Sequence, residues 1–305
     1  MKKITLTLFI FKFLLTGCLQ LVSFPFLAQN KGSIPFHKLD STAILAVVPF
    51  KEAFEHNDDN MDYSKIMAER TLTAVEQSRR FIVIDRTDFQ SILDERVFQD
   101  GENKQDFEDL TTEDLARLGK RLRADFILTG TISNVGCSMT PTGSFRTVLG
   151  FTIKVINVYT GKIYVTESFE VTSGSALKIK HQYNSCGEAI SAIFVKVDEP
   201  VKLFIDKYFP IYAKYVRTEK KSKINEMVEA LIEGGAEKGF RLSQKLDILV
   251  IDMSPGNKLP PEDVGDAEII GMDPSYSTVR IKSLKRGLEA LENKENILYF
   301  RSKSD

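Results

Sequence analysis

Apolar positions change spacing several times along the chain, and each spacing predicts an element. Residues 43–50 (AILAVVPF) are short, continuous and β-branched, the pattern of a strand buried on both faces. Between residues 62 and 78, Tyr63, Ile66, Met67, Ala74 and Val75 fall on one side at helical spacing. Residues 81–84 (FIVI) read as a second buried strand. Thr87 and Gln90 have capping-box spacing and open a helix carrying Phe89, Ile92 and Leu93. Thr111 or Thr112 starts another, with Leu115, Leu118 and Leu122 on one face, and residues 124–131 form a third strand. Residues 151–158 and 163–171 are joined by a short polar link containing Gly161, a hairpin signal. From about 185 to 208, Ile190, Ile193, Phe194, Val197, Val201, Phe204 and Ile205 recur with helical period. Pro200 inside that run should kink the helix or split it in two.

This order, β-α-β-α-α-β-β-β-α, predicts an α/β domain over 42–215: a mixed sheet with flanking helices. The composition then shifts. Lys220, Lys221 and Lys223 suggest a solvated link over 216–224. Strand patterns follow at 227–232, 246–253, 266–272 and 276–284, broken by a Pro/Gly-rich loop at 254–261. They predict a small all-β C-terminal domain over 225–305, a barrel or a sandwich.

The first 28 residues read as an export signal: basic at Lys2 and Lys3, apolar to Ala28, interrupted by Lys12 and Pro25. Two cleavage sites compete. Leu15-Thr16-Gly17-Cys18 resembles a lipobox and would make Cys18 a lipidation site. Ordinary cleavage after Ala28 is the other reading. Residues 29–41 form a polar tether. Either cleavage places the mature chain outside the cytoplasm, in the periplasm or lipid-anchored to the outer membrane. Export leaves Cys137 and Cys186 as an even pair in an oxidising compartment, either as two free thiols or as one disulfide.

Among 305 residues, 41 Lys+Arg face 42 Asp+Glu, a net charge of −1, which argues against a nucleic-acid partner. Three His and three Cys leave little material for a metal site, and none is expected. His37, His56 and His181 are scattered in polar stretches and read as exposed side chains. His56 with Asp58, Asp59 and Asp62 lacks the Gly and closing Glu of a calcium loop. Phosphate-cradle and nucleophile-elbow motifs are missing, so no cofactor is expected. Neighbouring acids such as Asp94/Glu95 and Glu113/Asp114 point apart on a helix. The chain therefore reads as non-enzymatic. Arg79, Arg80 and Arg86 flank a buried strand and are either solvated or salt-bridged at the surface, or in contact with a subunit or partner. Gly130 inside a strand marks a bulge or a close backbone approach, and Gly161 and Gly239 supply turn geometry.

Five pieces in order resemble the curli-secretion channel (CsgG) family. They are Ala46-Val47-Val48-Pro49-Phe50, residues 78–86 (SRRFIVIDR), residues 92–96 (ILDER), residues 118–132 (LGKRLRADFILTGTI) and residues 155–163 (VINVYTGKI). A likeness extends to penicillin-binding-protein activator lipoproteins. Residues 234–240, 246–250, 264–270 and 276–281 look like the terminal β-domain of the flagellar assembly protein FlgT. The resemblance implies an accessory or scaffold in assembly or secretion at the outer membrane. Its partners would be envelope proteins, and a homo-oligomeric ring is in keeping with the channel family. Two alternatives remain: an activator of a cell-wall synthase, and a periplasmic hydrolase or ligand-binding enzyme. Channel members insert two membrane hairpins, each needing roughly 20 residues or more. Here residues 133–150 and 172–185 occupy those points, too short and too polar, so a member without a pore is expected. Cys137 and Cys186 lie in these two shortened loops.

Overall fold

A computed structural model describes residues 42–54, 61–84, 110–141, 143–173, 183–221, 228–252, 261–285 and 296–304. The export signal with Cys18, the tether, His37, His56, His181, Arg86 and the helix expected after Thr87 lie outside these residues.

The first part is a mixed six-stranded sheet. Strands β1 (Ala43–Val47), β3 (Phe81–Ile84) and β4 (Phe126–Met139) run parallel. Strands β5 (Phe145–Asn157) and β6 (Lys162–Thr172) complete the order β3-β1-β4-β5-β6 by antiparallel pairing. A two-residue strand β2 (Lys51–Glu52) adds to β4. Gly161 closes the β5–β6 turn at φ +65°.

Leu45 and Val47 face a large core, which helices α1 (Tyr63–Ser78), α3 (Cys186–Val195) and α4 (Asp198–Tyr208) cover with Met67, Val75, Ile193, Phe194, Val201 and Phe204. Ala46 and Val48 face the opposite side, where α2 (Thr112–Arg121) packs Leu115 and Leu118 against Ile127, Ile156 and Val158. A strand covered on both sides has no polar alternation to show. Asp62 caps α1, and Thr111 with Asp114 forms a capping box on α2. Pro200 does split its helix: α3 ends at Val195, and Pro200 sits in the first turn of α4, where its missing N–H leaves no bond unmade.

The second part is a closed antiparallel barrel. Its strands are β7 (Tyr212–Lys221), β8 (Val228–Glu233), β9 (Lys245–Asp252), β10 (Glu262–Met272), β11 (Tyr276–Leu284) and β12 (Asn296–Ser302). They close in the order β10-β11-β8-β7-β12-β9 around Ala230, Ile232, Ile248, Val279 and Phe300. The chain is thus an α/β domain followed by an all-β domain. The link expected over 216–224 is corrected. Residues up to Lys221 belong to a barrel wall, and the passage between domains is only Phe209, Pro210 and Ile211. Lys220 of the basic run stands on the outer face of that wall and pairs with Glu229 on β8 at 3.4 Å.

Candidate functional site

Beyond Ile132, β4 leaves the flank of β2 and continues with β5 as a ribbon, which β6 flanks on the other side as far as Val148. Ser133, Asn134, Gly136, Ser138 and Met139 are exposed along it, whereas Val135 and Cys137 turn back toward the main core. The ribbon ends in a tight turn. Thr140 N–H donates to the Ser144 carbonyl at 2.7 Å, and Gly143 takes φ +80°. The tip is therefore a short polar turn, with Met139 beside it 65 % exposed.

Three sets of bonds hold the outer part of the ribbon. Thr147 and Ser173 exchange bonds: Thr147 N–H donates to Ser173 Oγ at 2.8 Å, and Ser173 N–H donates to the Thr147 carbonyl at 2.9 Å. Phe145 N–H donates to the Tyr183 carbonyl at 3.0 Å. Lys196 Nζ, at the end of α3, donates to the carbonyls of Thr172 and Ser173 at 2.9 and 3.0 Å. Then there is the covalent tie. Cys137, opposite Thr147 on the ribbon, is bonded to Cys186, the first residue of α3, with Cα atoms 5.9 Å apart and a separation of 49 positions in sequence. Ser185 caps this helix start by accepting from Glu188 N–H at 3.2 Å, and Glu188 accepts from Asn184 N–H at 2.9 Å. The helix that receives the tie is thus itself anchored.

The arrangement is a stiff, polar, solvent-facing ribbon. Its exposed groups are hydroxyls, an amide, a thioether and the Arg146 guanidinium opposite Ser138, which can hydrogen-bond and pack. Among the described residues no group of three or more His, Cys, Asp or Glu could hold a metal ion. No described helix is long and apolar enough to cross a membrane. Sequence reasoning singled out both cysteines. It missed Ser173, Tyr183 and Lys196, whose roles run through backbone carbonyls and leave no residue-type signal.

The arginines before β3 lead elsewhere. The Arg80 side chain is only 4 % exposed, so its expected surface placement is corrected, while the salt bridge is present, with Asp206. Its guanidinium donates to the carbonyls of Ile205 and Phe209, at 3.0 and 2.6 Å, and to the Asp206 carboxylate. Burial pushes its pKa down to about 10, with Asp206 opposing and Arg241 adding to the fall, so it remains cationic at neutral pH. Asp206 also accepts from Arg241 of the barrel at 2.7 Å. Arg79 donates to the Ala236 carbonyl at 3.2 Å. The contact these arginines make is within the chain, between its two domains. Gly130 is a close approach: a Cβ there would stand 2.2 Å from the Phe50 ring and 2.1 Å from the Thr152 carbonyl.

The sequence matches no family model and no curated protein. Partial structural likenesses exist among solved proteins. One is the hypothetical protein CT253 from Chlamydia trachomatis, at 11 % identity and TM-score 0.37, covering 55 % of this chain and 98 % of that one. Another is the LpoB C-terminal domain from Salmonella enterica, at 17 % and 0.31, covering 43 % and 82 %. A third is the PelC dodecamer from Paraburkholderia phytofirmans, at 12 % and 0.30, covering 52 % and 87 %. At these scores nothing about those proteins is transferred to this chain. The curli-channel resemblance rests on the sequence pieces alone.

Proposed function

We propose that the protein is an exported accessory protein of the bacterial cell envelope that works by protein–protein contact. Within that class we favour a periplasmic activator of a cell-wall synthase, as the activator lipoproteins it resembles are. The observation that carries the reading is the cystine-tied ribbon. A disulfide persists in an oxidising compartment outside the cytoplasm, and here it joins Cys137 to Cys186 where the sheet extends past its flanking strand. Fixing an exposed polar ribbon in this way costs conformational entropy once, at folding, and lowers what a partner must supply on binding. The near-neutral net charge and the export pattern agree with it. Cys18 would then anchor the chain by lipid, or cleavage after Ala28 would free it; the mass of the mature N-terminus separates the two. An accessory role in outer-membrane secretion is the second reading, supported by the five ordered sequence pieces.

The test is to titrate the mature chain into a purified bifunctional peptidoglycan synthase and follow glycan polymerisation from the lipid-linked precursor. A saturable rise in rate supports the activator. No rise, with secretion components captured from envelope extracts, moves the assignment to the second reading. No rise and no capture, or a hydrolytic activity of the chain itself, overturns the contact reading.

A further inference from the structure

The passage from α4 to β7 is three residues long, and both of its ends are pinned. Phe209 lies among the rings of Phe81, Phe126 and Tyr164, with centroids 5.0 to 5.5 Å away, which are side chains near the starts of β3, β4 and β6. Its carbonyl is held by Arg80. On the barrel side, Ile211 N–H donates to Ser302 Oγ, and Ser302 N–H returns a bond to the Ile211 carbonyl, both at 2.8 Å. The barrel's turn through Ala236–Lys238 then folds back onto the end of α1. Gly239, at φ +86°, comes so close that a Cβ would stand 2.2 Å from the Ser78 carbonyl oxygen.

We propose that Arg80 is the positioning residue that makes the two domains one rigid body. Its guanidinium alone reaches the last turn of α4, the passage and Asp206, and Asp206 carries the barrel through Arg241. A planar fork with several donors can hold these acceptors together, and a lysine ammonium cannot match that geometry. The consequence is long-range. The barrel docks where β3 and β4 begin, and the cystine-tied tip lies where β4 ends, its 14 residues on. At about 3.3 Å per residue the strand spans on the order of 40 Å. The molecule is a spacer that holds an exposed ribbon tip and a barrel at a fixed separation, suited to contacts at both ends at once.

Nitroxide labels at Lys120→Cys on α2 and Ser275→Cys before β11, in the oxidised full chain, read the distance between domains by pulsed dipolar spectroscopy. The expected result is one narrow distribution. Arg80→Gln should broaden it severalfold, with the circular dichroism spectrum and the Cys137–Cys186 bond retained, and Arg80→Lys should not restore it. If Arg80→Gln does not accumulate, Asp206→Asn carries the same test, since it removes the charge both guanidiniums share. A broad distribution in the unsubstituted chain overturns the proposal. So does an unchanged narrow one in a folded Arg80→Gln or Asp206→Asn chain.

Discussion

The centre of the α/β sheet is buried on both faces, whereas the barrel wall, outside β9 with its buried run Leu246 to Val250, is buried on one. From β1 onward four consecutive positions, Leu45 to Val48, are inaccessible, serving two cores with helices on either side. In β8 burial alternates strictly: Val228, Ala230 and Ile232 point in, and Glu229 and Glu233 point out. The two regions manage polar groups accordingly. The α/β domain buries one guanidinium, Arg80, at its end, and the barrel lays its charges across the outer wall. Ser283, Asp266, Asp247, Arg301 and Tyr212 stand in register on five successive strands, with Lys303 bridging the two acids. Stability in the first region is thus a matter of layered packing. The second combines a single core with an ionic row that runs from the buried Asp247 to the half-exposed Asp266, and its exposed end contributes little.

The largest test of this contrast is to open a cavity in each core. Phe151→Ala in the sheet and Phe300→Ala in the barrel, both essentially inaccessible, should each cost about 3–5 kcal/mol. Urea unfolding followed by far-ultraviolet circular dichroism measures it. If the junction couples the domains, each substitution lowers a single shared midpoint. Two separated transitions would show that the cores are independent.

Next in size is the covalent tie, which only the α/β domain has. Cys137→Ser with Cys186→Ser should cost about 2–4 kcal/mol, chiefly through the greater freedom of the unfolded chain. The loss should equal that produced by a thiol reductant on the unsubstituted protein. In native-state hydrogen exchange the protection lost first should be that of the ribbon, residues 133–147, while Ala230 and Val279 in the barrel keep theirs. Equal loss in both places would mean that the ribbon is part of the global core.

A smaller effect separates two glycines of one strand. Gly130→Ala pushes a methyl into the Phe50 ring and a backbone carbonyl and should cost about 1–3 kcal/mol. Gly136→Ala, on the ribbon, meets nothing within 4 Å and should change stability by less than about 0.5 kcal/mol. Thermal midpoints of the two variants measure the difference directly.

The double burial of the sheet is what made it easy to read from sequence. Residues 43–50 are an unbroken apolar stretch, and α1, α2 and the α3–α4 pair show clean helical spacing; residues 81–84 are equally apolar, but β3 is not the fully buried strand expected, since Ile82 is 55 % exposed. The barrel was half legible. Strands β8, β10 and β11 alternate over most of their length, whereas β9 is buried at five consecutive positions, Leu246 to Val250, and β7 carries bulges between Tyr215 and Arg217 and between Thr218 and Lys220, which break the period. With Lys214, Arg217 and Lys220 outward, it resembled a solvated link. Strand β12 gave a short run, ILYF, and pairs with β7 across more than eighty residues, a closure no local window contains. At the site, the cysteines were visible because their residue type is rare here. Arg80 was marked out by its place before β3, but its burial was not legible, because that depends on α4 and the barrel arriving beside it.

The smallest effect concerns the ionic row. Lys303 first, and Ser283 second, hold the Asp266 carboxyl below its ordinary value of 3.8. A folded-state pKa below the unfolded one means stabilisation that is complete above the ordinary value and lost as pH falls through the depressed one. Half of the Asp266 side chain is exposed, so screening limits the contribution to about 0.2–1 kcal/mol. Lys303 works in the opposite sense. Its pKa is raised by Asp266 and then by Asp247, so its share is present below its ordinary 10.5 and fades as pH rises through the raised value. Asp266→Asn should therefore lower the denaturation midpoint slightly at pH 6, by an amount that shrinks as pH falls through the depressed pKa. Lys303 keeps Asp247 at 3.0 Å in that variant, which caps the loss. A deficit that does not shrink at all on acidification would mean that Asp266 stabilises the wall by neutral hydrogen bonding, through Ser283, and not by its charge.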